Sequence, residues 1–402
     1  MPTVTSENSL QFKLNELAKQ GIIQPVQLTE EQMQEPDINN LSNKVSDAIS
    51  HHMSLNPSER KANSKKAIDV IADYVGRAKT GRVRPLLRQN GKLLKAGKKG
   101  EDNEVITLPD GRSIFTTGLA FSPAYEEGNF STCPNSKSCK DSCLGKTSSG
   151  YFIFGGGADL DALVGPRMVA FKKTQAFLRN PGEFAVRLSD EIEARKKLAA
   201  KQGSHTSVRL NVLSDFHPKV WESLIKAHPD VTFYDYTKNA TKSVAPNHHL
   251  TYSSTGISTD QAYNPHQNWK RMRTMLDIGN NVAMAFSHKS ELPHEVHDEE
   301  SGKTYKVIDG DDHDFRPLDM QAQGSDGVII GLRNKAATTN EQNAAEKSKG
   351  FFVPYDPKYM KTRKGILIRD ENGDPVVQNR RVTIPKQMKP AKNVDNNGDV
   401  LA

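Results

Sequence analysis

Short apolar runs alternate with amphipathic stretches through the central part of the chain, and this alternation predicts the architecture of the core. The runs are rich in β-branched and aromatic residues and therefore predict strands, at 207–216, 231–240, 249–256, 281–288 and 327–336. Apolar residues at helical spacing between the runs predict helices, at 218–228 and 265–278. Strands that alternate with helices favour a parallel sheet, so we expect an α/β fold built as a full or partial (β/α) TIM-type barrel.

The regions before and after these runs complete the expected organisation. Residues 160–192 predict a long helical stretch that Asn180-Pro181-Gly182 divides into two helices. Residues 1–80 are polar and predict a helical N-terminal extension of short helices. Residues 356–402 predict a basic tail with one hairpin, turning at Asn372-Gly373, and a disordered end. The catalytic domain is therefore expected at 81–355.

Charge indicates the kind of partner. The formal net charge is +7, the isoelectric point is about 9.0 and the mean hydropathy is -0.65. A basic surplus favours polyanions, and we expect nucleic acid, DNA first of all, to contact the basic runs 82–99 and 358–392. The sequence has no apolar run long enough to span a membrane and no signal-peptide pattern, so we expect a cytoplasmic protein without a membrane partner. The oligomeric state is left open.

Three cysteines form the most specific motif. Cys133, Cys139 and Cys143 are the only cysteines and lie within eleven residues, a poor framework for disulfides. In a reducing compartment such a cluster is typical of a metal site. Zinc would need a fourth ligand, from His217, His288 or His313. An iron–sulfur cluster held by three cysteines would instead leave one iron open to a substrate or cosubstrate.

The order of these elements resembles two groups of proteins. A three-cysteine loop between a strand and a helix resembles the radical S-adenosylmethionine enzymes, although the spacing here is Cys-x5-Cys-x3-Cys instead of Cys-x3-Cys-x2-Cys. More narrowly, the series NGKLLKAG, CPNSKSCKDSC, VRLNVLSDF, TFYDYTKNA and HLTYSSTG, over 89–256, resembles a family of phage and plasmid proteins with a three-cysteine motif. Leu144 and Gly145 replace the aromatic residue and alanine that family members often carry, and the second cysteine cluster of many members is absent. The resemblance implies a 4Fe-4S cluster, S-adenosylmethionine and modification of a nucleic-acid base.

Polar residues at strand ends supply the remaining candidates. Asp215, Asp235 and Lys238 are the predicted catalytic residues, because chemistry in such folds gathers at the carboxyl ends of strands. Asp215 suits cosubstrate contact, a general base or a nucleophile, but with Pro218 following it also suits a helix N-cap. Alternation along the strand sends Asp235 to the face opposite Lys238. The predicted cofactor-binding residues are Ser214, Asp215, Ser253 and Ser254.

Two other classes remain open. The chain also resembles base-exchanging transglycosylases that insert 7-deazaguanine into tRNA or DNA, with zinc, Asp215 as nucleophile and Asp235 or Asp319 as base. Their cysteines follow the catalytic strands, whereas these precede them, and their Asp-Ser-Gly-Gly signature is missing. A zinc-stabilised DNA-binding protein without enzymatic activity is the third class. The acidic loop Asp309–Asp314 could bind Mg²⁺, and Gly155–Gly157 could cradle phosphate.

Overall fold

A computed structural model describes most of the regions with regular structure. The described residues are 19, 37–89, 111, 113–123, 132–135, 165–239, 241, 243–254, 265–321, 327–334, 351–361, 367–371 and 375–385. Several parts of the prediction lie outside them, among them Cys139, Cys143, Gly155–Gly157 and the hairpin turn at Asn372-Gly373.

In the described part of the chain, two helices precede the sheet. Helix α1 (Ile38–Ser54) begins at Asp37, whose side chain accepts a hydrogen bond from the Asn39 backbone, and α2 (Pro57–Val75) begins with a capping box at Asn56. Both are longer than the short helices expected from the sequence. Their buried side chains, among them Val45 and Ile71, belong to the same apolar core as the sheet, so both helices pack on the core and contact the helix Pro181–Lys201.

Four further helices among the described residues flank the strands. Helices α3 (Gly165–Arg179) and α4 (Pro181–Lys201) meet at Asn180, as predicted, because Pro181 is tolerated only in the first turn of a helix. Helix α5 (Glu222–Ala227) follows a 3-10 turn at Pro218–Trp221, and α6 is Pro265–Asp277. A second 3-10 turn spans Arg316–Gln321.

The described residues contain ten strands in one sheet of order β1-β2-β3-β4-β5-β6-β9-β8-β7-β10. The strands are β1 (Leu87–Arg88), β2 (Ser113–Leu119), β3 (Ser204–Arg209), β4 (Thr232–Thr237), β5 (His248–Ser253), β6 (Val282–Ala285), β7 (Glu295–Asp298), β8 (Thr304–Asp309), β9 (Ile329–Leu332) and β10 (Arg381–Ile384). Pairing is parallel from β2 through β6 to β9 and β8, whereas β1 and β7 pair antiparallel with β2 and β8. The predicted α/β class with a mostly parallel sheet is confirmed.

An aromatic cluster fixes the segments that leave β2 and β3. Phe121, Phe177, Phe184, Phe216 and Trp221 pack together, with the rings of Phe177 and Trp221 4.9 Å apart. Each is almost fully buried, and burial of such a side chain stabilises the fold by about 1.5–3 kcal/mol. The cluster ties α3 and α4 to residues just beyond the two strands, and so holds the loops at the carboxyl edge in place.

The two faces of the sheet are covered differently. Helix α4 packs against Val208 on one face, which we call the outer face. Arg209, the next residue of β3, points to the inner face and binds Asp314 from the connection between β8 and β9. The connections from β2 to β6 lead toward one end of the strand order, whereas the connection from β8 to β9 leads in the opposite direction. Because crossovers between parallel strands are right-handed, a connection in the opposite direction must cross the opposite face of the sheet. The reversal therefore explains why residues 314–319 lie on the inner face.

Candidate functional site

The described start of the cysteine segment is attached to the loops that follow β3 and β4. The Thr132 hydroxyl donates to the carbonyl of Ser122, 2.5 Å away, and the Thr132 carbonyl accepts from the backbone of Asp215 at 2.9 Å. The Asn135 amide donates to Oδ1 of Asn239 at 2.7 Å. The segment that follows β2 therefore lies across the carboxyl ends of the next two strands, the edge at which the sequence predicts chemistry.

Cys133 is half-buried at this edge. Its Sγ lies 3.5 Å from the Leu213 carbonyl and 3.8 Å from the Thr132 hydroxyl. Cys139 and Cys143 lie outside the described residues, and within those residues no three His, Cys, Asp or Glu side chains group as metal ligands. The three-cysteine metal site thus stays a prediction.

The three histidines predicted as possible zinc ligands are engaged close to their own segments. The Nδ1 atom of His217 accepts from the Lys219 backbone at 3.2 Å, and that of His288 accepts from the Glu291 backbone at 2.9 Å. His313 lies 3.4 Å from Asp319.

Asp215 is a buried carboxylate that connects two loops. One oxygen accepts from the Lys238 backbone at 3.0 Å and the other from the Asn239 amide at 3.4 Å, and the side chain is only 3% exposed. Burial raises the pKa of Asp215, and the positive charge of Lys238 opposes that rise. The alternative reading as a helix cap is wrong, because the 3-10 turn begins at Pro218 and its N-cap is His217.

Lys238 extends the contact to β5. Its Nζ donates to the Ser253 hydroxyl at 3.4 Å. Asp215, Lys238 and Ser253 therefore form a row across the ends of β3, β4 and β5, which we call the edge row. The structure brings these three predicted residues together. It also places Cys133 beside the start of the edge row, because the Cys133 Sγ contacts the carbonyl of Leu213, two residues before Asp215, and the neighbouring Thr132 carbonyl accepts from the Asp215 backbone.

The other predicted residues bind neighbouring backbone or loop groups. Asp235 faces away from Lys238, as the alternation predicts, and its Oδ1 accepts from the Asn211 backbone at 2.6 Å. Burial raises the pKa of Asp235 to about 7, opposed mainly by this hydrogen bond. Ser214 donates to the Asn211 side chain at 2.8 Å, and the backbone of the buried Ser254 donates to Ala283 at 2.9 Å.

A cavity of about 410 Å³ borders the edge row on the outer face. Its described lining comes from the end of β4, the connection to β5, β5 itself and the end of α6, namely Thr237, Asn239, Thr241, Ser243, Leu250, Tyr252, Met275, Ile278 and Asn280. Two of these residues, Thr237 and Asn239, also hydrogen-bond to Asp215. The cavity and the edge row are therefore adjoining parts of one site. Sequence reasoning missed the cavity, and its signal is the polar run TKNATKS directly after a strand.

The inner face carries a second polar cluster that the sequence did not reveal. Arg209 pairs with Asp314 at 3.0 Å and lies over the ring of Tyr236, and Arg316 lies 3.1 Å from Asp319. Asp309 and Asp311 of the predicted acidic loop pair with Arg333. Asp309, Asp311 and Asp314, three of the carboxylates that the sequence suggested as Mg²⁺ ligands, are thus paired with arginines.

Together the sheet and its edge define an α/β protein with a polar site at the carboxyl ends of parallel strands. The chain belongs to the gene product 88 family, a phage-type family whose model matches residues 84–353. This membership agrees with the predicted likeness to phage and plasmid proteins. No curated protein and no solved structure matches the chain, so the likenesses to radical enzymes and transglycosylases stay hypotheses. No helix in the described part of the chain is long and apolar enough to cross a membrane.

Proposed function

We propose that the protein is a metal-dependent enzyme that modifies nucleic acid at the carboxyl edge of the sheet. The observation that carries the proposal is the attachment of Thr132–Asn135 to the loops after β3 and β4. Through it a cysteine with metal-binding chemistry lies beside a buried carboxylate, a lysine and a cavity large enough for a small molecule.

Cys133, Cys139 and Cys143 would hold the metal as thiolates. The half-exposed position of Cys133 fits this role, because its sulfur is accessible to a metal; as a thiol it donates to the carbonyl of Leu213, and that bond would be given up when the thiolate binds. We favour a 4Fe-4S cluster with S-adenosylmethionine as cosubstrate, since three thiolates leave one iron open. The consecutive order of β2 to β6 and then β9 supports a partial (β/α) barrel around this centre.

The edge row supplies the polar groups around the metal. Asp215 is proposed to position Lys238 and Asn239 through its two hydrogen bonds. The Lys238 ammonium would contact a carboxylate or phosphate, and Ser253 holds that ammonium on one side. Ser214 and Ser254 remain proposed cofactor contacts.

Surface charge supports a nucleic-acid substrate. Arg84 and Arg88 are exposed. Burial lowers the pKa of Lys172 and of Lys173 in α3, and the nearby charges of Arg84 and Arg88 respectively lower them further. Arg84, Arg88 and Lys172, which we call the basic patch, concentrate positive charge at the start of the family region. Such clusters favour contact with phosphates.

A zinc-dependent transglycosylase is the second candidate, with Asp215 as nucleophile. Both oxygens of Asp215 accept hydrogen bonds and the side chain is almost fully buried, which favours a positioning role over attack on a sugar carbon. A zinc-stabilised DNA-binding protein is the third, and the buried carboxylate of Asp215 in the edge row favours catalysis over it.

Metal analysis of anaerobically purified protein tests the proposal. We expect iron with inorganic sulfide, and we expect Cys139→Ser to lose most of the metal while thermal unfolding stays cooperative. Ser142→Ala, a neighbour in the same segment, is the matched control and should keep its metal. Unchanged metal content in Cys139→Ser would refute the metal site, whereas stoichiometric zinc would select the second or third candidate.

A further inference from the structure

The connection between β4 and β5 leaves part of the outer face without a helix. Parallel strands are usually joined by a helical crossover of a dozen or more residues, but β4 ends at Thr237 and β5 begins at His248. The described residues of this connection contain no helix. The cavity lies at this place, between the two strands and the end of α6.

The described walls of the cavity combine two kinds of surface. Leu250, Met275 and Ile278 form an apolar side, and Ile278 is 60% exposed, an unusual position for a large apolar side chain. Hydroxyl and amide side chains complete the lining, and among them the Asn280 amide donates to Sδ of Met275 at 3.8 Å. An amide offers a donor and an acceptor together, the pattern that matches the edge of a nucleobase, and apolar surface suits its flat face.

Positive charge lies next to Tyr252, which lines the cavity. Arg271 is exposed on α6, and its side chain hydrogen-bonds to Tyr252. Burial raises the pKa of Tyr252, and the positive charges of Arg271 and Lys238 oppose that rise. The described lining itself contains no carboxylate. A ligand that fills the cavity can therefore place an anionic group beside Arg271 while its neutral part contacts the apolar wall.

We propose that this cavity binds a single unpaired nucleotide, with the base against Met275, Ile278 and Asn280 and the 5′-phosphate beside Arg271. The volume of about 410 Å³ lies in the range of small-molecule sites. This inference rests on the proposed function and specifies its substrate, since enzymes that modify bases take the target nucleotide out of the stack. Asn239, which lines the cavity and binds Asn135, joins the nucleotide site to the cysteine segment.

Equilibrium dialysis of the full chain with deoxynucleoside 5′-monophosphates, the matching nucleosides and inorganic phosphate tests the inference. We expect monophosphates to bind more tightly than nucleosides. Arg271→Ala should weaken monophosphate binding about tenfold without affecting nucleosides, the size of a lost charged hydrogen bond. Ile278→Trp, which fills the cavity, should abolish binding of both, whereas Met53→Trp, at another exposed apolar position on α1, should not.

Two results would overturn the inference. One is unchanged monophosphate binding in Ile278→Trp with an intact thermal transition. The other is S-adenosylmethionine binding in the cavity with no preference for a 5′-phosphate, which would assign the cavity to the adenosyl cosubstrate. The same assays on Cys139→Ser separate the two proposals, because nucleotide binding should survive the loss of metal. Nucleotide binding by a protein that never holds metal would leave this inference standing and remove the proposed function.

Discussion

Two buried aspartates near the carboxyl edge, Asp215 and Asp235, face different partners. Asp215 binds the loop after β4, which carries Lys238, whereas Asp235 binds the backbone at the end of β3. The alternation of side chains along β4 predicted the opposite faces of Asp235 and Lys238. It could not predict Asn135 and Asn239 as partners, because they are 104 positions apart in the sequence and only the fold brings them together.

The substitution Asp215→Asn tests the positioning role. Asn keeps one acceptor but removes the charge and one acceptor oxygen, so the Lys238 and Asn239 contacts are weakened. We expect S-adenosylmethionine binding to weaken by about 1–3 kcal/mol, the scale of a lost charged hydrogen bond. Calorimetric titration measures the effect, and a denaturing gel should show no covalent adduct with nucleic acid in the wild type.

The same change on the opposite face, Asp235→Asn, is the matched control and should leave cosubstrate affinity unchanged. An adduct that forms in the wild type and disappears in Asp215→Asn would establish the nucleophile of a transglycosylase instead. Full activity of Asp215→Asn would remove both catalytic roles.

The raised pKa of Asp235 leads to a prediction about how stability depends on pH. Its pKa rises from the ordinary 3.8 to about 7 in the fold, so the folded protein holds a proton that the unfolded chain releases between these values. The contribution of Asp235 to stability is therefore complete below about pH 4 and is lost as pH rises towards 7. We expect the wild type to lose up to about 1.4 kcal/mol per pH unit across this range relative to Asp235→Asn.

The comparison of the two proteins isolates this effect. His248, His249 and His313 have pKa values lowered to about 4 by burial and act in the opposite direction, since the unfolded chain takes up protons first as pH falls. Urea unfolding of wild type and Asp235→Asn between pH 4 and 8 measures the difference. Parallel stability curves would contradict the raised pKa of Asp235.

At the scale of elements, apolar and β-branched runs predicted β3, β4, β5, β6 and β9, but not β7 and β8. These two strands, Glu295–Asp298 and Thr304–Asp309, carry charged and polar side chains and bury only alternate positions. The reversal of strand order at β8 and β9 depends on them, so the connection across the inner face could not be foreseen either.

The ion pair between Arg209 and Asp314 joins that connection to the sheet. Both side chains are almost fully buried, and the hydroxyl of Tyr234 lies 3.5 Å from the same carboxylate. Asp314→Ala leaves the guanidinium buried without its partner and should lower the free energy of unfolding by about 3–5 kcal/mol, as measured by urea denaturation.

Removing both charges should cost much less. The double variant Arg209→Met with Asp314→Leu fills similar volume without burying an unpaired charge, so it should be closer to the wild type than Asp314→Ala. Equal losses in the two variants would contradict this, because the cost would then come from losing the pair itself and not from a charge left unpaired.

At the scale of the whole molecule, one core joins the N-terminal helices to the sheet. The polar composition of residues 1–80 concealed this, because the buried positions of α1 and α2, such as Val45 and Ile71, are few and widely spaced. The C-terminal region also returns to the sheet, since β10 pairs with β7. Hydrophobic spacing within a segment carries no information about such distant docking.

The net charge of +7 leads to a prediction for the intact protein. Binding to DNA should weaken steeply as salt rises and depend little on sequence, because phosphate contacts release counterions. Neutralising two members of the basic patch, in Arg84→Gln with Arg88→Gln, should reduce the slope of log affinity against log salt by up to about two, one for each phosphate contact. Lys61→Gln with Lys66→Gln removes the same charge from exposed positions of α2 and is the matched control, with a nearly unchanged slope.

Fluorescence anisotropy with single- and double-stranded DNA at several salt concentrations measures the salt slopes of both double variants. Equal slopes in the two double variants would show that net charge alone attracts DNA, and no affinity of the wild type for DNA or RNA at low salt would end the nucleic-acid proposal.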